Sequence, residues 1–398
     1  MPARPRRYAV PTAALLLAPL LSLAACSGGG DEAAKESTSS PSATGSPTDS
    51  GSPSGSASSS ATPDRSDGPD GSVAAPPAGG TADKPTVLKA GTQLLDWKQV
   101  PGSVDDTVTR SGGWTLTVNQ AETEARLEGP SSGTGIRADQ RQQVSDALID
   151  GDHAVVVLQD KQETRPSSAT VVDLHSGDTF TVDGRSDVPT TNGGTWALGG
   201  GRLLHATVHQ GSYCIASVDL ATRRSTLGWC APARHGFNSA AITPAGDSLL
   251  TFDDSHPACR TVVALDGRTV TPFEGVPDCS GWDGLLTRDG AVWSIIPKEH
   301  QIEAAQAYAR TGDGYYDLGP SVSGTLVWCG GAAYFARDPQ RDSDPAELMR
   351  WSPGDGLDVV YRSKGRHAFL SPPRCGGDTI TVTAMAQSGD EQVTADLG

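Results

Sequence analysis

No stretch of ten or more residues in this chain carries a convincing helical period, which argues against helix bundles and alternating α/β folds. The longest apolar run, Ala13 to Leu23, is too short to cross a bilayer as a stable helix. Cysteine is scarce, and no Cys-x-x-Cys pair occurs, so the usual zinc frameworks are missing. Basic residues are scarce too. Once the arginines before Cys26 are set aside, 28 Lys plus Arg face 47 Asp plus Glu, a net charge of −19. A chain this acidic is repelled by nucleic acid and by anionic lipid headgroups, and neither is expected as a partner.

What the chain does have is a short glycine turn that returns along its length. It reads Ser111-Gly112-Gly113, Asp150-Gly151-Asp152, Gly199-Gly200-Gly201, Ala245-Gly246-Asp247, Arg288-Asp289-Gly290, Cys329-Gly330-Gly331 and Cys375-Gly376-Gly377. An apolar run starts within about three residues of each turn, and the spacing stays near 44 residues, which marks a repeat architecture. Each period reads as four short strands, a to d. In the repeat around Ala241, strand a precedes Ala245-Gly246, and strands b, c and d fall at Ser248 to Phe252, Arg260 to Leu265 and Thr269 to Phe273. Asp/Gly turns close the c to d hairpins at Val172 to Gly177, Val218 to Leu220 and Ala264 to Gly267. The predicted fold is all-β, a propeller of seven blades, with an uncertainty of one because the first repeat is the least regular.

Residues 1 to 25 have the form of a secretory signal peptide, with basic Arg4, Arg6 and Arg7 ahead of the apolar run. Arg6-Arg7 is read as a basic n-region rather than a twin-arginine signal, though the export route stays open. The segment ends Leu23-Ala24-Ala25-Cys26-Ser27-Gly28, which resembles the lipobox of bacterial lipoproteins. That resemblance implies cleavage before Cys26, acylation of its thiol, and anchoring to the outer face of the bacterial cell membrane. Residues 26 to 84 follow as a tether of Ser, Gly, Thr, Pro and Ala, expected to be disordered because it has almost no large apolar side chain to bury. A flexible coil of this length spans roughly 40 Å end to end.

Residues 85 to 398 form the folded part. After Gly377 there is room for only two strands, Thr379 to Met385 and Gln392 to Leu397, while Thr86 to Val100 holds one strand too many for the first blade. That strand is expected to serve as strand d of the last blade, which closes the ring and removes an open edge. The arrangement resembles the ring closure of WD-repeat and TolB-like propellers, although no Gly-His…Trp-Asp signature is present. The resemblance implies a fold and no particular activity. Within that layout Cys214 begins strand c of the third blade and Cys230 ends its strand d, so the two are expected to pair. Cys259 and Cys279 occupy similar places in the fourth blade and are paired likewise. Cys329 and Cys375 both precede glycine turns in consecutive blades and are left to each other, close to the axis.

Motifs that could carry chemistry are sparse. Gly129-Pro130-Ser131-Ser132-Gly133 has the spacing of a nucleophile elbow but lacks the strand before and the helix after it. His205 and His209 share a strand face about 13 Å apart, too far for one metal. Asp342-Ser343-Asp344 with Glu347 is similar to part of a calcium loop but lacks the glycine and the full ligand series. Thr190 to Trp196 is similar to the Asp-box turn of sialidase-like propellers, one residue short and with Asn192 in place of the aspartate, so no activity is carried over. The b to c and d to a loops share one end of the strands, the top face. They include the long polar segments Gln159 to Ser168, Pro297 to Gln306 and Asp338 to Glu347. Candidate binding residues there are Asp187, Arg234, His235, Asn238, Asp253, His256 and Trp282. No catalytic set assembles and no cofactor is implied, although a divalent metal remains open. The reading is a monomeric envelope lipoprotein that binds a protein or carbohydrate, with a propeller enzyme acting on sugars or lactones as the alternative. The lipid and tether are expected to hold the bottom rim toward the membrane.

Overall fold

The computed structural model describes residues 84–398 except 131–132, 298–301 and 313. The chain divides into Met1–Pro69 and Asp70–Gly398, and all described residues belong to the second unit. The signal peptide, Cys26, nearly all of the tether and the serines Ser131 and Ser132 lie outside them.

Seven sheets follow one another along the chain, each built on a four-stranded antiparallel blade. Blade 2 shows the plan, with strand a at Gln142–Ile149, b at His153–Asp160, c at Ser168–Asp173 and d at Thr179–Val182. Strand a of each blade lies innermost, and the a strands of most neighbouring blades touch around the axis. The seven glycine turns are the seven a to b turns. At Gly200-Gly201 and Gly330-Gly331 both residues take positive φ, which matches the twist of a tight hairpin and is costly for any residue with a Cβ. Gly376 answers a different demand. A Cβ there would sit 2.1 Å from the Arg110 carbonyl oxygen, so the innermost strands of blades 7 and 1 come together only over a glycine.

Blade 7 is completed by the N-terminal segment, as expected: Lys98–Gln99 pairs antiparallel with Glu391–Asp396. The expectation of a single N-terminal strand was too simple. Before reaching blade 7, Thr86–Val87 pairs in parallel with strand d of blade 5, and Gly91–Thr92 pairs in parallel with strand d of blade 6. The segment is a belt over the outer edges of three blades. It is fixed by main-chain bonds and by Trp97, whose indole Nε1 donates to the Val360 carbonyl at 2.8 Å while its ring meets Tyr361 edge-on at 5.2 Å. Thr86 stands opposite Tyr316, near the c to d turn of blade 5, whereas His256 lies in a b to c loop at the other end of the strands.

The three disulfides are Cys214–Cys230, Cys259–Cys279 and Cys329–Cys375. Cys329 and Cys375 end the innermost strands of blades 6 and 7, with Cα atoms 5.5 Å apart. Cys279 differs from its expected place. Strand d of blade 4 stops at Pro272, so Cys279 sits in the following loop and ties the start of strand c to the approach of blade 5.

Between blades the packing is apolar, with one exception. Buried clusters fill the interfaces from blade 1–2 through blade 6–7. Among the described residues none fills the interface of blade 7 with blade 1. The cause is visible in strand b of blade 7, Thr379–Met385. Ile380, Val382 and Ala384 face the core shared with blade 6, so period-2 alternation turns Thr379, Thr381 and Thr383 toward blade 1. Thr381, Gln392 and Thr394 on that side are no more than 3 % exposed.

Candidate functional site

At the top of this polar seam lies a cleft of about 360 Å³. Its formation starts with Pro372-Pro373. Neither residue has an N–H to donate, and strand a of blade 7 breaks into Phe369–Leu370 and Arg374–Gly376. Across the break the register shifts by one residue, a bulge of the kind that re-aims side chains beside sites. Ser371, Pro372 and Arg374 become one wall. Thr381, Thr383 and Gln392 form a second, and Val104 to Val108, the end of the loop that enters blade 1 and the start of its strand a (Thr107–Ser111), form the third. Gln392 holds the walls together by donating from Nε2 to the Asp106 carbonyl at 3.0 Å and to Thr383 Oγ1 at 2.9 Å.

Arg374 is the basic residue of the lining. Arg374 donates from Nη1 to the Ala147 carbonyl at 3.4 Å, and among the described residues no carboxylate lies within ion-pair distance of it. Burial holds its pKa below the usual guanidinium value, opposed by the more distant Asp146. Asp146, on strand a of blade 2, is pushed up to about 6 by burial, against the pull of Ser145 and Arg374. The outer end is acidic, with Asp105, Asp106 and Asp390 on the lining. Asp106 and Asp390 each accept one loop N–H, from Gln120 and Ala386, both at 3.1 Å.

No protein-family model matches the chain, and no curated protein matches it. Solved structures do. The β-propeller domain of the Trilobed protease from Pyrococcus furiosus aligns with a TM-score of 0.51 at 10 % identity, covering 78 % of this chain and 97 % of that one. The fold is a seven-bladed propeller. A structure from an analysis of two prolyl endopeptidases aligns at 0.50 and 12 % identity, covering 73 % of this chain but 46 % of its own length. TolB from Acinetobacter baumannii aligns at 0.37 and 10 % identity. At 10–12 % identity the first two likenesses establish the propeller fold alone.

The residues singled out from the sequence do not form one site on this propeller. Arg234, His235 and Asp253 do gather at blade 4, but the carboxylates there are engaged. Asp254 accepts from Arg234 Nε at 2.6 Å. Asp253 accepts from Ser255 Oγ and from the Cys259 N–H, and these bonds hold its carboxyl below the usual range. Its work is to shape a disulfide-bound loop. His256 is exposed in that loop, and Asn238 is exposed on strand a with its amide oxygen taking a bond from Ser239. Trp282 is half-buried on strand a of blade 5 under the Arg260 guanidinium, 4.9 Å from its ring centre, and that face is closed to a sugar. Asp187 belongs to a separate shallow groove between the outer strands of blades 2 and 3. Glu347 of the calcium-like stretch is paired with Arg362 at 3.0 Å. His205 is buried against Trp196, while His209 is exposed. The Thr190 to Trp196 turn is structural, with Thr190 Oγ1 donating to the Ser167 carbonyl.

Reasoning from sequence missed Arg374, Asp146 and the seam. One signal was available: Thr at 379, 381 and 383 on a b strand that a propeller encloses on both sides.

Proposed function

We propose that this chain is an extracytoplasmic lipoprotein of the cell envelope whose propeller binds a ligand at the top of the blade 7–blade 1 seam. The observation that carries the reading is the exception in the packing. An interface between blades is ordinarily a place to bury apolar surface, and burying hydroxyl and amide groups there costs stability unless each is bonded. This seam keeps polar walls, a cleft and a guanidinium short of a counterion, which are features of recognition.

Anchoring is supported by the Leu23 to Gly28 motif and the tether composition. The belt continues that logic. The chain meets the propeller at Thr86, opposite Tyr316 near the c to d turn of blade 5, which is where an anchored tether would join it.

Two experiments test the proposal. Cell fractionation of the wild-type chain is expected to place it with membranes, and Cys26→Ala is expected to shift it to the soluble fraction; equal partition of the two contradicts anchoring. For the cleft, a bulky Thr383→Trp substitution is expected to abolish capture of envelope components without lowering the melting temperature by more than a few degrees. Unchanged capture contradicts the cleft as the site.

A further inference from the structure

Resting on that binding role, the charges in the seam cleft specify what it takes. We propose that it binds a small zwitterion bearing a free carboxylate and a free amine, an amino acid or the end of a short peptide. The carboxylate meets Arg374 and the ammonium meets the acidic rim at Asp105.

The floor decides the anionic half. A guanidinium has five N–H donors in a planar fork. One bond, to the Ala147 carbonyl, is made within the protein. Asp146 is close enough to act through space, but no carboxylate reaches Arg374 within ion-pair distance among the described residues. A largely desolvated charge in this position is stabilised by a counterion, and the fork fits a carboxylate in the bidentate manner. Thr383, whose Oγ1 already accepts from Gln392, keeps its own hydroxyl proton free to donate on the adjacent wall.

The rim decides the cationic half. Asp106 and Asp390 each spend one carboxylate oxygen on a loop N–H. Asp105 lines the cleft, is exposed, and has no such bond to its carboxylate among the described residues. The molecule as a whole carries a formal net charge of −16, so its field opposes the approach of a bare anion. A ligand without net charge, carrying its own cation toward the acidic mouth, escapes that penalty. The volume of about 360 Å³ lies at the small end of the range for ligand sites, which suits one or two amino-acid residues rather than a long glycan.

The test is isothermal titration of the full chain with L-alanyl-L-alanine, its C-terminal amide, its N-acetyl form, and a chitin tetrasaccharide as an uncharged comparison. The free dipeptide is expected to bind, and the amide at least tenfold more weakly, the factor that a lost charge-assisted bond produces. Arg374→Gln should erase that discrimination and Arg374→Lys should restore part of it, which separates loss of the contact from loss of the fold. The N-acetyl form should also bind more weakly, and Asp105→Asn should weaken the free dipeptide but not the N-acetyl form. Equal affinity for dipeptide and amide, or discrimination that survives Arg374→Gln, overturns the assignment. Binding of the tetrasaccharide alone, lost in Thr383→Trp, overturns the zwitterion while leaving the binding role intact. If Thr383→Trp also leaves capture of envelope components unchanged, both fall.

Discussion

Asp283 should make this protein less stable as the pH rises from 4 to 6. It lies on strand a of blade 5, Gly281–Thr287, where its carboxylate accepts from the Gly324 N–H at 2.8 Å and from Ser294 Oγ at 3.2 Å. Burial outweighs those bonds and pushes its pKa up to about 6 from an ordinary 3.8. The folded state therefore keeps a proton that the unfolded chain gives up, so stability falls with rising pH between the two values and the loss is complete above about 6. A rise of about two pH units corresponds to about 3 kcal/mol, an upper bound because the residue retains some exposure. Asp283→Asn cannot ionise. Urea unfolding at pH 4.5 and 7.5 should show the variant close to wild type in acid and more stable by about 1–3 kcal/mol at pH 7.5. Asp146 is raised in the same way, so the single variant should remove only part of the slope and the double variant with Asp146→Asn should flatten it further. A variant less stable than wild type at pH 7.5 would refute the reasoning, because the carboxylate would then be a net stabilising anion.

Other consequences follow from the same geometry. Of the charges packed against strand a of blade 2, Arg374 is the one felt by Asp146, so protonating Asp146 removes a nearby negative charge that opposes an external carboxylate at the already unpaired Arg374. A dipeptide should bind severalfold tighter at pH 5 than at pH 7.5, and Asp146→Asn should bind at pH 7.5 as wild type does at pH 5. Replacing Cys329 and Cys375 by serine opens a loop of 46 residues and should cost about 4 kcal/mol in urea unfolding, against about 3 kcal/mol for Cys214 and Cys230 with their separation of 16. Trp97→Ala removes the bond to Val360 and the contact with Tyr361; being half-buried, it should cost about 2 kcal/mol and loosen the belt, seen as faster exchange of the Val100 amide, which donates to the Gln392 carbonyl.

Much of the fold is written in residues whose role is local. Glycines at 200, 201, 330 and 331 mark hairpins because the backbone there takes positive φ, and the spacing of all seven glycine turns carried the blade period and the blade number. Two of the disulfides were readable because Cys214 and Cys230, and Cys329 and Cys375, stand at matching ends of adjacent strands, whereas Cys259 and Cys279 were paired correctly although Cys279 lies in the loop beyond strand d. The belt was not readable beyond its last strand. Thr86–Val87 and Gly91–Thr92 are two residues long and bond through main-chain atoms, which leave no side-chain pattern. The site was missed for a different reason. Polar clusters such as Asp253 with His256 stand out in a sequence, yet the Asp253 carboxylate spends its hydrogen bonds on its own loop. Arg374 stands beside a proline pair and a cysteine, and Asp146 sits inside an apolar alternation, so neither invites notice until the ring brings blades 7, 1 and 2 together.

The most direct test of the account is a crystal structure of the chain grown with L-alanyl-L-alanine. The account predicts the dipeptide in the seam between blades 7 and 1, with its carboxylate within hydrogen-bond reach of the Arg374 guanidinium and its ammonium toward Asp105. A dipeptide bound on another face, or a seam closed by apolar packing with Arg374 paired to Asp146, would contradict it.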